Sequence, residues 1–162
     1  MSKYKTVIYN ANLITMDDEN KVIDNGYLVF VDGLIKSLGT GIPEMDEYTD
    51  SIDANGGLVT PGLINCHTHA PMSLFRGLGD DEPDRLKRFI FPLEAKYVSP
   101  EFVRTGTALS CVEMLLGGTT CFADMYFFEE EVAATASELG IRVLAGQTLM
   151  NRATPDAATI ED

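Results

Sequence analysis

The sequence has no tryptophan, only two histidines and only three cysteines. Three cysteines cannot all pair, and none stands in a C-x-x-C arrangement, which argues against a disulfide framework. Because Cys66, Cys111 and Cys121 lie in apolar surroundings, we expect them to be small buried residues in a reducing compartment. No apolar run approaches the ~20 residues of a membrane span, and the run at residues 6–9 is too short for a signal peptide. A cytoplasmic protein is expected.

Positive charge is also scarce. Lys and Arg number 12 against 25 Asp and Glu, which gives a net charge of −13. Such a chain gains no counterion-release affinity for nucleic acid, and anionic membrane surfaces repel it. The 162 residues, 45% hydrophobic and 23% charged, suit an ordinary globular protein of about one domain. With nucleic acid and membranes excluded, we expect a small molecule as the binding partner. The sequence is compatible with a homo-oligomer.

The first third of the sequence is typical of short strands separated by turns. Residues 17–20 form a polar turn cluster, and Asp32-Gly33 separates two apolar runs. That dipeptide favours positive φ and therefore a tight hairpin. We expect a β meander of four or five strands over this region.

From Gly57 onward the pattern changes to strands that alternate with helices. An apolar run over residues 58–66, interrupted by Pro61-Gly62, does not alternate and so predicts a strand buried on both faces. Ser99-Pro100 is a good helix start, and Gly117-Gly118 a good stop, with the apolar face on Phe102, Leu109, Val112 and Leu116. A strand at 119–123, a helix at 129–139 and a strand at 141–146 follow. This order predicts βαβ units with a parallel sheet, an α/β fold.

Both histidines fall at the end of the first of these strands, as His67 and His69. Positions i and i+2 of a strand point to the same side, so both imidazoles can reach one ion. Two imidazoles are half of a zinc coordination shell, and the carboxyl ends of parallel barrel strands are where active sites gather. Two exposed histidines without a metal are the simpler alternative.

The residues around the histidines resemble a known family. Residues 57–69, GLVTPGLINCHTH, are similar to the first barrel strand of the amidohydrolase superfamily, whose H-x-H supplies two metal ligands. Residues 70–81, APMSLFRGLGDD, resemble the branch that contains 5'-methylthioadenosine/S-adenosylhomocysteine deaminases and triazine hydrolases. The N-terminal strands are similar to the part of a small β-sandwich with which these enzymes begin.

The resemblance implies a (β/α)8 TIM-type barrel that this chain does not complete. Residues 1–57 would be β-sandwich strands, and residues 58–162 the first three β/α units, since a whole barrel needs about 250 residues. It also implies one divalent metal, Zn²⁺ or alternatively Fe²⁺, held by His67 and His69 with further ligands on later strands. The rest of the barrel chain is then required for activity, and no catalytic acid or base is assigned within this chain.

Glu94 is the next candidate by resemblance. The segment FIFPLE at residues 89–94 is similar to one whose glutamate accepts hydrogen bonds from ribose hydroxyls in the nucleoside deaminases. The family usually has a tryptophan nine residues earlier, where this chain has Arg85, so the thioether end of a methylthioadenosine-like substrate is in doubt. The alternative is structural, because Pro92 favours a helix start and Glu94 then lies in its first turn.

Three further positions are weighed from their place in the pattern. Asp124 ends the second barrel strand and is expected to orient a ligand histidine, or simply to cap a loop. Gln147 ends the third strand and is a candidate substrate contact. The glutamates at 129–131 are expected to form a solvated helix N-terminus that the macrodipole favours.

These expectations lead to three functional hypotheses. The first is a hydrolytic deaminase of an adenosine-type nucleoside or a related aminated heteroaromatic ring, with metal-activated water. The second keeps the chemistry and changes the substrate to a triazine, guanine or pterin, with ammonia or chloride as leaving group. The third is an inactive truncated fragment whose role is confined to assembly.

Overall fold

The computed structural model describes residues 5–46, 49–159 and 161. The chain divides into two compact units, Met1–Pro61 and Gly62–Asp162. Within the described residues, none of the helices is both long and apolar enough to span a membrane. Residues 1–4, which precede the short apolar run considered as a signal peptide, lie outside the described residues.

The first unit is one mixed sheet. Its strands are Lys5–Ile14 (β1), Val22–Val31 (β2), Leu34–Thr40 (β3), Thr49–Asp53 (β4) and Leu58–Val59 (β5). Their order is β3-β2-β1-β4, and β5 pairs with a further part of β1. The predicted hairpin is confirmed: β2 and β3 are antiparallel, with Asp32 at φ 53° and Gly33 at φ 76° between them. Of these five strands only the first three form a meander, because β4 and β5 run parallel to β1.

The boundary between the two units lies after Pro61, whereas the expected boundary lay after residue 57. Leu58 and Val59 pair with Asn12 and Leu13 of β1, which ties them to the first sheet. The apolar run that was expected to be one strand is thus split at Pro61-Gly62, because proline cannot donate to a sheet ladder. The second sheet begins only at Leu63.

The second unit contains a parallel sheet of three strands, Leu63–Thr68 (β6), Thr119–Tyr126 (β7) and Arg142–Gln147 (β8), in the order β6-β7-β8. Helices connect the strands, as the alternating pattern predicts for an α/β fold. They are Phe91–Tyr97 (α1), Pro100–Leu116 (α2) and Glu129–Leu139 (α3). A 3₁₀ helix at Ala70–Phe75 and a π-helical turn at Leu86–Ile90 precede α1.

Helix α2 begins where the sequence predicted but buries a different face. The Ser99 hydroxyl accepts a hydrogen bond from the Phe102 backbone N–H at 3.2 Å, an N-cap. The predicted apolar face is wrong for three of its four residues, since Leu109 and Val112 are 41% and 45% exposed and Leu116 is 85% exposed. Phe102 is half-buried and packs against the core. The buried residues of α2 are instead Val103, Gly106, Thr107 and Cys111.

Gly106 explains this choice of face. A Cβ built there would collide with the backbone of Pro71 in the 3₁₀ helix. The close approach that glycine permits brings the Ser73 hydroxyl to the Gly106 carbonyl at 2.9 Å, and the Ser110 hydroxyl to the Ala70 carbonyl at 2.7 Å. Helix α2 is thereby fixed against the segment that directly follows the two histidines.

Strand β6 is an edge strand and is exposed, contrary to the prediction of burial on both faces. Leu63 and Ile64 are 59% and 67% exposed, and among the described strands only β7 pairs with β6. Cys66 is also exposed and Cys121 is half-buried, so only Cys111 meets the expectation of burial. The core of the unit lies around β7, α2 and α3, where Phe122, Val103, Val132 and Ala136 are fully buried.

Candidate active site

The two histidines lie together at the carboxyl end of β6. Their ring centroids are 5.1 Å apart, with the ring planes at 76°. His67 is exposed and His69 is half-buried. The i, i+2 spacing therefore places both imidazoles on one side of the strand, as the sequence predicted.

A backbone carbonyl fixes the orientation of one of these rings. His69 Nδ1 lies 2.6 Å from the carbonyl oxygen of Met125, which can only accept a hydrogen bond. Nδ1 is therefore the donor of this bond, and Nε2 is the ring nitrogen left to face an ion. A ligand histidine in a metal site is held in this way, with one ring nitrogen donating to the protein and the other facing the ion.

Asp124, on β7, holds the backbone on either side of His69. Its Oδ1 accepts hydrogen bonds from the Thr68 hydroxyl and, at 2.7 Å, from the Ala70 backbone N–H. Thr68 is also the register partner of Asp124 in the parallel ladder. The carboxylate is 4% exposed, so these bonds are made out of water. Asp124 contacts the neighbours of His69 and not the imidazole itself.

The chemistry of this donor set fits a borderline-soft divalent ion such as zinc. Two neutral imidazole nitrogens on one side of a strand end can each contribute a ligand at about 2.0–2.1 Å from such an ion. Among residues 5–46, 49–159 and 161, His, Cys, Asp and Glu side chains nowhere form a group of three or more that could hold a metal. The described residues thus fit half of a tetrahedral shell.

Glu94 is buried at the wall of a cavity. It lies in the first turn of α1 after Pro92, as the structural alternative predicted, yet its side chain is only 6% exposed. The cavity has a volume of about 240 Å³, and its other walls include Phe91, Phe127 and Arg152. Burial raises the pKa of the Glu94 carboxyl above its ordinary value, against the lowering effects of the Tyr126 hydroxyl and the nearby positive charge of Arg152.

Tyr126, at the end of β7, connects Glu94 with the histidines. Its ring centroid is 6.5 Å from that of His69, and its buried hydroxyl lies near the Glu94 carboxyl without a hydrogen bond of normal geometry. Burial, followed by the charge of Glu94, raises the pKa of the Tyr126 hydroxyl, which therefore stays protonated and can donate. Sequence reasoning missed Tyr126, although its position two residues after Asp124 on the same strand places it at the same sheet end.

Arg152 was also missed. Its guanidinium carbon lies 4.4 Å from the ring centroid of Phe91, and its positive charge acts on Glu94. No periodic pattern surrounds residue 152, because the segment after β8 is irregular. A lone arginine in such a segment gives no sequence signal for a cavity wall.

Gln147 is engaged by other parts of the chain. Its amide nitrogen donates to Asp156 Oδ2 at 2.6 Å, and its amide oxygen accepts from the Glu129 backbone N–H at 3.4 Å. Asp156 also accepts from the Phe128 backbone N–H at 2.9 Å. Although burial acts in the opposite direction, these hydrogen bonds keep the pKa of Asp156 below its usual value. Gln147 therefore fixes the segment after β8 to the start of α3.

A second cavity, of about 410 Å³, lies between β6 and α2 and is lined by His69, which does not line the cavity at Glu94. Its charged groups are already paired, because Arg76 makes a bidentate contact to Glu113 with nitrogen–oxygen distances of 2.9 and 2.6 Å. It brings no unpaired acid or base toward His69. The smaller cavity at Glu94 is the better candidate for substrate.

The family model for the amidohydrolase family matches residues 58–162. The chain belongs to the amidohydrolase family. The matched range begins at Leu58 and contains His67, His69, Glu94 and Asp124. This membership confirms the family inferred by resemblance.

Individual relatives agree with this membership. The chain is 47% identical to a 5-methylthioadenosine/S-adenosylhomocysteine deaminase of Thermodesulfovibrio yellowstonii over 98% of its own length. It is 43% identical over 84% of its length to a 5'-deoxyadenosine deaminase of Methanosarcina mazei. Among solved structures, an adenosine deaminase from Xanthomonas campestris with bound zinc superimposes with a TM-score of 0.80 at 33% identity, over 96% of this chain and 36% of that one.

The chain spans about two fifths or less of these relatives' lengths, 38% for the first and 31% for the second. A triazine hydrolase from Arthrobacter aurescens has a TM-score of 0.81 at 24% identity, which shows the fold alone. The α/β fold with the first strands of a barrel is therefore confirmed.

Proposed function

We propose that this chain carries the metal-binding first strand and part of the substrate pocket of a metal-dependent aminohydrolase. The substrate class is an adenosine-type nucleoside. The observation that carries the proposal is the convergence of His67 and His69 at the end of β6, with His69 Nδ1 bound to the Met125 carbonyl and Nε2 left for an ion. The relatives named as deaminases of adenosine-type compounds, and the zinc in the Xanthomonas structure, support it.

The residues of this chain would act by binding and orientation. His67 and His69 would hold a divalent metal, which when bound activates water for attack on the amino-bearing ring carbon. Asp124 keeps the strand end rigid through Thr68 and Ala70. Among the described residues we assign no general acid or base, so proton transfer to the leaving ammonia falls outside this account.

The cavity at Glu94 favours a nucleoside over a free base. A buried carboxylate can accept one O–H from each of two vicinal hydroxyls. Phe91 and Phe127 supply apolar surface on the same cavity, and Arg152 supplies a cation. A substrate with a polar diol and further groups beyond it satisfies these walls better than a bare ring does.

The other hypotheses have weaker support. The triazine hydrolase and the guanine deaminase from C. acetobutylicum, both 24% identical, share the fold and carry no argument about substrate. An assembly role alone leaves unexplained why the His69 ring is oriented and why Glu94 is buried at a cavity. We propose zinc as the metal and a cytoplasmic location, which the free thiols of all three cysteines suit.

The two units would have separate roles in the whole protein. We propose that the first contributes strands of a small β-sandwich and the second the first three β/α units of a barrel. The exposed faces of Ile64 on β6 and Leu144 on β8, 67% and 72% exposed, are then covered by later barrel elements.

The test is ammonia release by the whole protein loaded with zinc. We expect turnover of adenosine, 5'-deoxyadenosine and 5'-methylthioadenosine, with much lower kcat/KM for adenine, guanine and a chlorotriazine. A His69→Ala variant serves as the metal-site control and should be inactive on all of them. Equal or greater kcat/KM for the free bases or the triazine would overturn the nucleoside proposal and leave the family assignment intact.

A further inference from the structure

The carboxyl group of Glu129 is buried where the sequence predicted a solvated one. Glu129 is the first residue of α3 and is 4% exposed, whereas its neighbour Glu130 is exposed and Glu131 pairs with Arg104 at 2.6 Å. The prediction that residues 129–131 are solvated together is therefore wrong for Glu129. The chain turns into α3 through Phe128 at φ 54°, and this turn directs the first side chain of the helix inward.

Three buried carboxyl oxygens around Glu129 lack a donor. Both Glu129 oxygens and Asp124 Oδ2 are inaccessible, and within the described part of the chain no hydrogen bond of normal geometry reaches them. The two side chains interact with each other. All three atoms are acceptors when both groups are ionised, so a single proton between the carboxyls is the simplest way to satisfy them.

The surroundings offer no positive charge for a second anion. The groups that face the pair are the Cys111 thiol of α2, the Tyr126 hydroxyl of β7 and the Thr68 hydroxyl of β6, and the Tyr126 and Gly146 backbone N–H groups lie near the Glu129 carboxyl. Neither carboxyl forms an ion pair with any described Lys, Arg or His residue. The positive end of the α3 dipole favours an ionised Glu129, but that effect is weak beside burial next to another carboxylate.

The proton belongs on Glu129. Asp124 already accepts from the Thr68 hydroxyl and the Ala70 N–H through its Oδ1. Burial, and next the charge of Asp124, raise the pKa of Glu129 to about 8, against the lowering effect of the Tyr126 and Gly146 backbone N–H groups. At neutral pH Glu129 therefore keeps its proton.

We infer that Glu129 is a positioning residue whose protonated carboxyl donates to Asp124 Oδ2 and so holds the end of β6 that carries His67 and His69. The chain of contacts runs from α3 through Asp124 on β7 to the backbone on either side of His69. Glu129 touches neither the histidines nor the Glu94 cavity. The inference rests on the proposed function only in assigning a metal to the histidines.

The test compares Glu129→Gln, Glu129→Ala and the exposed control Glu130→Gln in the whole protein. The first readout is urea unfolding of the metal-free protein between pH 5 and 9. Below the folded-state pKa, wild-type protein keeps a proton that the unfolded chain releases above about 4.5, so its stability falls as pH rises through about 8. Glutamine does not titrate, so in Glu129→Gln the unfolding free energy should change less steeply with pH, by the equivalent of about one proton. Glu130→Gln should follow the wild type.

The second readout is zinc affinity at pH 7, by competition with a chromophoric chelator. Glu129→Gln keeps a donor and should bind within about twofold of wild type, and Glu129→Ala should bind about 10- to 100-fold more weakly. Identical pH slopes for wild type and Glu129→Gln overturn the inference, as does a Glu129→Gln loss of affinity as large as that of Glu129→Ala. Neither readout requires turnover. If the deaminase proposal fails, the pH dependence of unfolding and the zinc affinity still test the role of Glu129.

Discussion

A single hydrogen bond to the Met125 carbonyl determines which nitrogen of His69 is left for a metal. Replacing His67 or His69 with alanine in the whole protein should abolish activity and lower the zinc content measured by atomic absorption. Stability should change by no more than about 0.5 kcal/mol for His67, because it is an exposed residue.

Cys66 offers the matched control for the histidine variants. It directly precedes His67 on β6 and is exposed, so Cys66→Ala should keep full zinc and full activity. Full zinc occupancy in the double histidine variant would remove the metal site from this strand.

Glu94→Ala distinguishes a ribose contact from a helix-stabilising role. If the carboxylate accepts the ribose hydroxyls, kcat/KM for adenosine should fall about 10- to 150-fold, the equivalent of about 1.5–3 kcal/mol. A 2',3'-dideoxynucleoside should already be a poor substrate of the wild type and lose little more in the variant. Exposed Glu101, in the first turn of α2, supplies the control Glu101→Ala.

Equal losses on adenosine, its dideoxy analogue and a free base would remove Glu94 from substrate recognition. A loss of up to about 1 kcal/mol in unfolding free energy with such equal losses would indicate a helix role instead.

At the scale of elements, the contact of α2 with the 3₁₀ helix depends on Gly106. An added methyl group would collide with the Pro71 backbone, and overpacking of this kind costs about 1–3 kcal/mol. That cost exceeds the gain of up to about 1 kcal/mol that alanine brings to a helix interior. Gly106→Ala should therefore lower the urea midpoint and, through the 3₁₀ helix, weaken zinc binding.

Gly117→Ala is the control for that substitution. Its Cβ would approach the Glu113 carbonyl no closer than 3.4 Å, an ordinary contact. We expect its urea midpoint to stay near that of the wild type. A midpoint for Gly106→Ala that is equal to or above the control would contradict the packing argument.

The elements that the sequence predicted well are those governed by local chemistry. Ser99 caps α2 and Asp32-Gly33 turns the first hairpin, because each acts within a few residues of itself. The buried face of α2 was mispredicted, since it depends on a contact with Pro71 across the fold. Tyr126 was missed and Glu129 was wrongly expected to be solvated for the same reason: their partners lie on other elements, and sequence spacing does not reveal them.

Across the whole molecule, the described metal-binding groups number fewer than a catalytic site needs. Catalytic zinc sites typically use three protein ligands and a water. The 162-residue chain prepared alone should therefore bind zinc weakly and release no measurable ammonia from adenosine. The whole protein should bind zinc tightly and release ammonia. Isothermal titration with zinc and a coupled ammonia assay measure the two properties.

Ammonia release from a homogeneous preparation of the 162-residue chain, abolished by His69→Ala, would contradict this expectation. It would mean that the described residues complete the metal site without further ligands. A preparation that binds zinc as tightly as the whole protein would lead to the same conclusion.

The pairing of Leu58 and Val59 with β1 has a consequence for biosynthesis. With these two residues the first sheet has its five described strands, and among the described residues none after Pro61 belongs to its unit. A ribosome adds about 5–20 residues per second, so the sheet can pair while the roughly 100 residues up to Asp162 take some 5–20 seconds to emerge. The histidine strand then leaves the exit tunnel behind an already paired sheet, with its Leu63 and Ile64 side chains exposed.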